Sequence, residues 1–156
     1  MDGTFEFELK VLDPRLHEWG LPAYHSDMAA GIDLRACIDR PLHIKPQEPA
    51  IMVSSGVAIL MNRPDLAAFL LPRSGLGARL GIILGQSVGT IDPDYAGPWM
   101  VPLINRNAPG TAAVTINPGD RIAQAVFLPI VRPQFRVVDE FSQETARGAG
   151  GFGSTG

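Results

Sequence analysis

Fourteen prolines and seventeen glycines are spread along 156 residues, and they break this chain before any long helix can run. What survives between the breaks is a series of short apolar runs. Phe5, Phe7, Leu9 and Val11 alternate with Glu6, Glu8 and Lys10, a period of two that predicts a half-buried strand. Asp13-Pro14 ends it, and residues 17–28 show no clear period, as expected of an ordered arm or loop. Further strands are predicted at 29–38, 42–44, 50–53, 57–61, 67–71, 82–84, 88–91, 99–104, 112–116, 121–130 and 135–138. Turn sequences such as Asn107-Ala108-Pro109-Gly110 and Asn117-Pro118-Gly119-Asp120 separate several of them. Only residues 74–80 suit a short helix, with Ser74 as its N-cap and glycines that weaken it. Many short strands without alternating helices imply an all-β sandwich or barrel.

Length favours one domain, large enough to bury roughly 70% of its unfolded surface. Thirteen basic against sixteen acidic residues leave a net charge of −3, which lacks the positive footprint of a nucleic-acid binder. Cys37 is the only cysteine, so an internal disulfide and a Cys-rich zinc site are excluded. His17, His25 and His43 share no metal-ligand spacing. No apolar run approaches about 18 residues and no signal segment opens the chain, so a soluble, cytoplasmic protein without membrane contact is expected.

Four polar islands interrupt the apolar pattern. Asp33 and Arg35 lie within AGIDLRA, either as the solvated face of an alternating strand or as site residues. Arg73-Ser74-Gly75 follows an apolar strand, where backbone amides, a hydroxyl and a guanidinium can bind an anion; a plain capped turn is the other reading. In GTIDPDYAG, Asp92 and Asp94 flank a rigid proline, and an ionised aspartate can take a proton from a water it orients. The same residues also suit an ordinary hairpin turn. Arg121 and Gln124 break the last long strand, where an amide can serve a phosphate or face solvent at an edge. The tail, residues 147–156, is glycine-rich around Arg147, Phe152, Ser154 and Thr155, too poor in apolar surface to order itself. No nucleophilic triad or Walker loop is present, and no GxGxxG follows a strand to suggest a dinucleotide-binding fold.

AGIDLRA, PRSGLG, GTIDPDYAG, GDRIAQ and RGAGGFGSTG, in this order, closely resemble the five motifs of the trimeric dUTP pyrophosphatases (dUTPases). The likeness runs from about Ala30 to the last residue. It implies a jelly-roll-like β barrel, here residues 1–146, with a mobile C-terminal lid over residues 147–156. It also implies a homotrimer whose three active sites are each shared between subunits.

The reaction implied is hydrolysis of dUTP to dUMP and pyrophosphate, which limits uracil incorporation into DNA and supplies dUMP for dTMP synthesis. By the same resemblance, Asp92 orients and deprotonates the water that attacks the α-phosphorus. Tyr95 lies against the deoxyribose and excludes a 2′-hydroxyl. Gly89, Thr90 and Ile91 read the uracil edge and crowd out a thymine methyl. Arg73, Ser74, Gly75 and Gln124 contact phosphates. Arg147, Phe152, Gly153, Ser154 and Thr155 form the lid, with the ring on uracil and the hydroxyls on the terminal phosphates. Mg²⁺ rides on the triphosphate without a direct protein ligand; Asp33 either touches its waters or is bridged to an arginine within the chain, and Arg121 serves structure more than substrate. Where bacterial relatives often carry asparagine, this chain has Gln86, which is left outside the predicted site. Two other readings are a dCTP deaminase-like or bifunctional member of the same fold, and a catalytically silent nucleotide-binding trimer. The Thr-Ile-Asp-Pro-Asp-Tyr sequence and the intact lid argue against both.

Overall fold

The structure, a computed structural model, describes residues 5–150. Its strands are β1 (Glu8–Val11), β2 (Ile32–Arg35), β3 (Leu42–Ile44), β4 (Ile51–Ser54), β5 (Val57–Leu60), β6 (Leu66–Pro72), β7 (Ile82–Leu84), β8 (Gly89–Ile91), β9 (Met100–Asn105), β10 (Val114–Ile116) and β11 (Arg121–Pro129). The ladders between them are antiparallel. One four-stranded sheet has the order β2-β11-β6-β8 and another, three-stranded, β4-β9-β7; β1 pairs with β5 and β10 with β3. Neighbours distant in sequence, such as β2 and β11, give the jelly-roll-like connectivity that the resemblance implied.

Alternation explains the packing. Ile32 and Leu34 of β2 are buried while Asp33 and Arg35 between them are half-buried on the other face. On β11, Ile122, Ala123 and Ala125 are buried and Gln124 is turned the other way. Between the sheets sits a core that includes Leu34, Ile44, Leu70, Leu103 and Ile122, with Trp99 wholly inaccessible at its centre. Phe127 stacks between Trp99 and Phe7, with ring centroids 6.3 and 5.2 Å away. Full burial of side chains of this size contributes about 1.5–3 kcal/mol each. Buried polar groups are mostly paired: Ser55 Oγ donates to the Trp99 carbonyl at 2.6 Å, and Asn105 Nδ2 to the Ile44 carbonyl at 3.0 Å.

The structure departs from the sequence expectations at four places. A one-turn helix, α1 (Leu16–Trp19), opens the stretch predicted to lack regular structure; it is anchored by the buried Leu16. Residues 75–80 form a π-helical segment rather than an α-helix. Ser74 stands at its N-cap position but has helical φ/ψ and makes no side-chain cap bond, because the glycines leave the backbone free to widen. The first strand is shorter than predicted, and its apolar side is only partly covered: Phe5 and Leu9 remain 43% and 38% exposed. They line an apolar groove of about 630 Å³ together with Phe7, Tyr24, Ile32, Leu66 and Phe127.

Residues 135–138 form no strand. After Ile130, the chain carries Val131, Phe135, Val137 and Phe141, each at least 90% exposed. A strand needs a partner edge, and the arm has none among the described residues.

Candidate functional site

The β8 hairpin carries the first group of predicted site residues. Gly89 and Ile91 pair with Leu70 and Ala68 of β6. The chain then turns through Asp92-Pro93-Asp94-Tyr95, closed by the Tyr95 amide donating to the Asp92 carbonyl at 3.1 Å. Proline at the second position presets that turn, and the Asn62 amide braces it by donating to the Pro93 carbonyl at 2.8 Å. The Asp92 side chain is exposed and makes no hydrogen bond or ion pair among the described residues. It opens on a hollow of about 390 Å³ lined also by Arg63, Asp94, Ile130 and Arg132.

Tyr95 folds back over Gly97, its hydroxyl donating to the Pro98 carbonyl at 3.1 Å. A Cβ at Gly97 would stand 2.6 Å from the ring's Cζ, so glycine is what allows the ring its place. Gln86, set aside in the sequence reading, lies against this hairpin: its Nε2 would come within 3.0 Å of a Cβ at Gly89. A side chain able to donate and accept therefore borders the surface that Gly89, Thr90 and Ile91 present. The residue type alone held no signal of that contact; the return of the chain at positive-φ Ser87 creates it.

Arg73, Ser74, Gly75, Gln124 and Asp33 form the second group. Register explains their meeting: on β11, Gln124 lies opposite Asp33 of β2 and Leu71 of β6, and the next pair along is Ala123 with Pro72. Arg73 follows directly. Asp33 is the hub. Its Oδ1 accepts from Arg73 Nε at 2.8 Å and its Oδ2 from Arg121 Nη1 at 3.2 Å, with His25 Nε2 3.1 Å from the same Oδ2. Neither the two arginines nor the histidine could be assigned to Asp33 from spacing, since they lie 40, 88 and 8 residues away in sequence. Gln124 Nε2 donates to the Pro72 carbonyl at 3.1 Å and fixes the strand end from which Arg73 and Ser74 project. Ser74 itself is exposed. Arg35, also in AGIDLRA, is structural: it donates to the Gly119 carbonyl at 2.9 Å and the Gly20 carbonyl at 3.3 Å.

These two groups stand at opposite ends of the four-stranded sheet. Ile91 pairs with Ala68, so Asp92 falls level with Ala67, six residues before Arg73. At about 3.3 Å per residue, the two lie about 20 Å apart along the sheet. That is beyond hydrogen-bond reach of any one phosphorus, so within a single chain Asp92 does not meet Arg73, Ser74 or Gln124.

Of the predicted lid, Arg147 lies on the exposed arm, its Nε donating to the Gly150 carbonyl at 2.9 Å. Phe152, Gly153, Ser154 and Thr155 lie outside the described residues. Among the described residues, no group of three or more His, Cys, Asp or Glu side chains is placed to hold a metal ion, and no helix is long and apolar enough to cross a membrane.

Comparison with known proteins bears on this arrangement as a whole. The sequence profile of the dUTPase family matches residues 17–156. Over 154 residues the chain is 55% identical to the deoxyuridine 5′-triphosphate nucleotidohydrolase of Coxiella burnetii (strain RSA 493 / Nine Mile phase I), covering 98% of both chains. It is 51% identical, over the same share of each chain, to the protein of that name from Xanthomonas campestris pv. campestris (strain B100). Among solved structures, the Staphylococcus bacteriophage 80alpha dUTPase with dUpNHpp superposes with a TM-score of 0.82, at 23% identity over 98% of this chain and 99% of that one. A mutant dUTPase from phage phi11 of S. aureus, described with a structural Mg(II) ion, gives 0.73 at 21% identity over 88% and 99%. The phage structures share the fold, while the bacterial relatives share the sequence from end to end; this chain belongs to the dUTPase family.

Proposed function

We propose that the chain hydrolyses dUTP to dUMP and pyrophosphate as a homotrimer, in sites that join the Asp92 hairpin of one copy to the Arg73 cluster of another. The observation that carries this reading is the separation of the two groups across the sheet, combined with membership of the family. Residues that must act on one triphosphate stand about 20 Å apart in one chain, so a second copy has to supply the missing half. The exposed apolar arm after Ile130 and the uncovered groove beside β1 support assembly, since each leaves large apolar side chains in water.

In such a site Asp92 is free to act as a base. Its carboxylate takes a proton from the attacking water, whose oxygen bonds to the α-phosphorus as the bond to the bridging oxygen breaks. The electron pair leaves on pyrophosphate. Arg73, Ser74, the Gly75 amide and Gln124 hold the phosphates, and fixed donors of this kind stabilise the charge that develops on the bridging oxygen. Gly89, Thr90 and Ile91 present backbone groups to the uracil edge, and Tyr95 fills the space that a 2′-hydroxyl would need. Arg147 with Phe152, Gly153, Ser154 and Thr155 closes the site and excludes other water.

Mg²⁺ suits this donor set as a passenger of the triphosphate, because both oxygens of Asp33, the carboxylate among the phosphate-binding arginines, already accept from cations. When bound it would add positive charge against the leaving pyrophosphate. Asp33 then acts by holding Arg73 in place.

The test is pyrophosphate release, with Mg²⁺, from dUTP, dTTP, dCTP and UTP side by side. Release confined to dUTP is expected. Silence on all four, or ammonia release from dCTP, would overturn the reading.

A further inference from the structure

A third arginine shares the cavity of Arg73 and Arg121. That cavity, about 460 Å³, is lined by Arg73, Gly75, Leu76, Arg79, Asp120 and Arg121, with Leu80 at its edge. Two of its guanidiniums share one carboxylate, since Arg73 and Arg121 both bind Asp33. The carboxylate of Asp120 is turned into its own loop, where Oδ2 accepts from the Asn117 amide at 2.7 Å. Arg79 is different. It is exposed, makes no hydrogen bond or ion pair among the described residues, and lies with Nη2 over Gly75, 3.1 Å from where a Cβ would stand. The cavity is thus lined by three guanidiniums and one carboxylate, Asp120; Asp33, outside its lining, pairs with Arg73 and Arg121, which leaves Arg79 without a counter-charge among the described residues.

We propose that Arg79 is a further substrate-binding residue, taking the pyrophosphate end of the nucleotide and, after cleavage, the pyrophosphate itself. The inference rests on the dUTP-hydrolysing reading above. The ligand has to be polyanionic, because a single phosphate is already matched by Arg73 with the Ser74 and Gly75 groups, and a third guanidinium beyond Gly75 is of use only to a phosphate farther along the chain. Gly75 makes the approach possible: with no side chain there, the guanidinium and the Gly75 amide can face the same oxygen. Arginine suits the task because its planar fork stays charged throughout the pH range and grips phosphate oxygens two at a time. The base and sugar contacts are elsewhere, so dUMP should not sense Arg79.

The experiment compares wild type with R79Q and R79K, reading KM and kcat for dUTP and inhibition by inorganic pyrophosphate and by dUMP. A charged hydrogen bond lost from such a site weakens binding about ten-fold or more. In R79Q, the KM for dUTP and the inhibition constant for pyrophosphate should rise together by about that factor. Inhibition by dUMP should stay at the wild-type value, and R79K should recover part of the loss. Unchanged pyrophosphate inhibition in R79Q would overturn the proposal. So would an equal loss for pyrophosphate and dUMP together with a changed oligomeric state by light scattering, which would make Arg79 an interface residue instead. Binding of inorganic pyrophosphate by calorimetry separates this proposal from the functional reading. A wild type that hydrolyses no dUTP refutes that reading, while calorimetry still decides whether Arg79 holds pyrophosphate.

Discussion

Asp92 owes its predicted role to what surrounds it: a proline that fixes the turn, an asparagine amide that braces it, and no hydrogen bond or ion pair to its carboxylate among the described residues. Asp92→Asn keeps the shape and removes the base. It should retain dUTP binding while lowering kcat by about 10²–10⁴, the range for a lost general base. Wild-type turnover in that variant would take Asp92 out of the mechanism. Gly97 offers a finer test. In Gly97→Ala the new methyl collides with the Tyr95 ring, which then has to leave its position. Preference for dUTP over UTP should fall about ten-fold with little change in melting temperature. An undiminished preference would mean that Tyr95 does not read the sugar. At this scale residue type was informative for Asp92, Tyr95 and Arg73, whose chemistry is written in the side chain. It was silent on Gln86, His25 and Arg79, whose significance comes from a neighbour distant in sequence or across a turn.

Elements were legible wherever an apolar period ran between two breakers. Strands β3 to β11 lie within about two residues of the predicted runs and β2 within three, because alternation and turn residues act locally. The helical stretches were less so. Nothing in Leu16–Trp19 announces a helix except its place between Pro14 and Gly20, and what holds it is the burial of Leu16 together with an ion pair at its entrance. There Arg15 Nη2 meets Asp13 Oδ2 at 2.6 Å, while Arg15 Nη1 donates to the Ile38 carbonyl at 3.0 Å and ties the entrance to the barrel.

The hydrogen bonds from Arg15 hold the Asp13 carboxyl below the usual carboxylate range, outweighing the opposing effect of burial. Between the lowered native value and the unfolded value near 3.9, the unfolded chain binds more protons. The pair's contribution is therefore complete above about pH 4 and is lost as pH falls through the native value. In Asp13→Asn the melting temperature should drop modestly at pH 7, and the gap from wild type should close as pH is lowered below about 4. A gap that stayed constant with pH would show that the pair's charge is not what matters.

Assembly belongs to the whole molecule. Removing residues 147–156 should leave melting temperature and oligomeric state near wild type while crippling hydrolysis. Removing everything after Ile130 should also break up the proposed trimer, which gel filtration with light scattering would detect. A tail deletion that lowered the melting temperature sharply would mean that the tail is structural rather than a lid. Complementation tests the shared site directly. Asp92→Asn and Arg73→Gln subunits are each expected to form inactive trimers, but co-refolded mixtures should regain roughly a quarter of wild-type activity, because a site joining the intact Asp92 of one copy to the intact Arg73 of another arises at random about that often. No recovery would place both residues in one protomer's site.

Proline and glycine spacing, two-residue alternation and motif order settled eleven of the twelve predicted strands, the fold class and the family from the sequence alone. Each of these is local, or a matter of order along the chain. The tertiary structure decided what depends on register and closure: that Asp33 gathers Arg73, Arg121 and His25; that Arg79 shares their cavity uncompensated; and that Asp92 and Arg73 stand at opposite ends of one sheet. It also decided that residues 135–138 find no strand partner among the described residues. A strand's apolar period says that it must be covered, but not by which chain, since burial against a neighbour lowers the free energy in the same way as burial within.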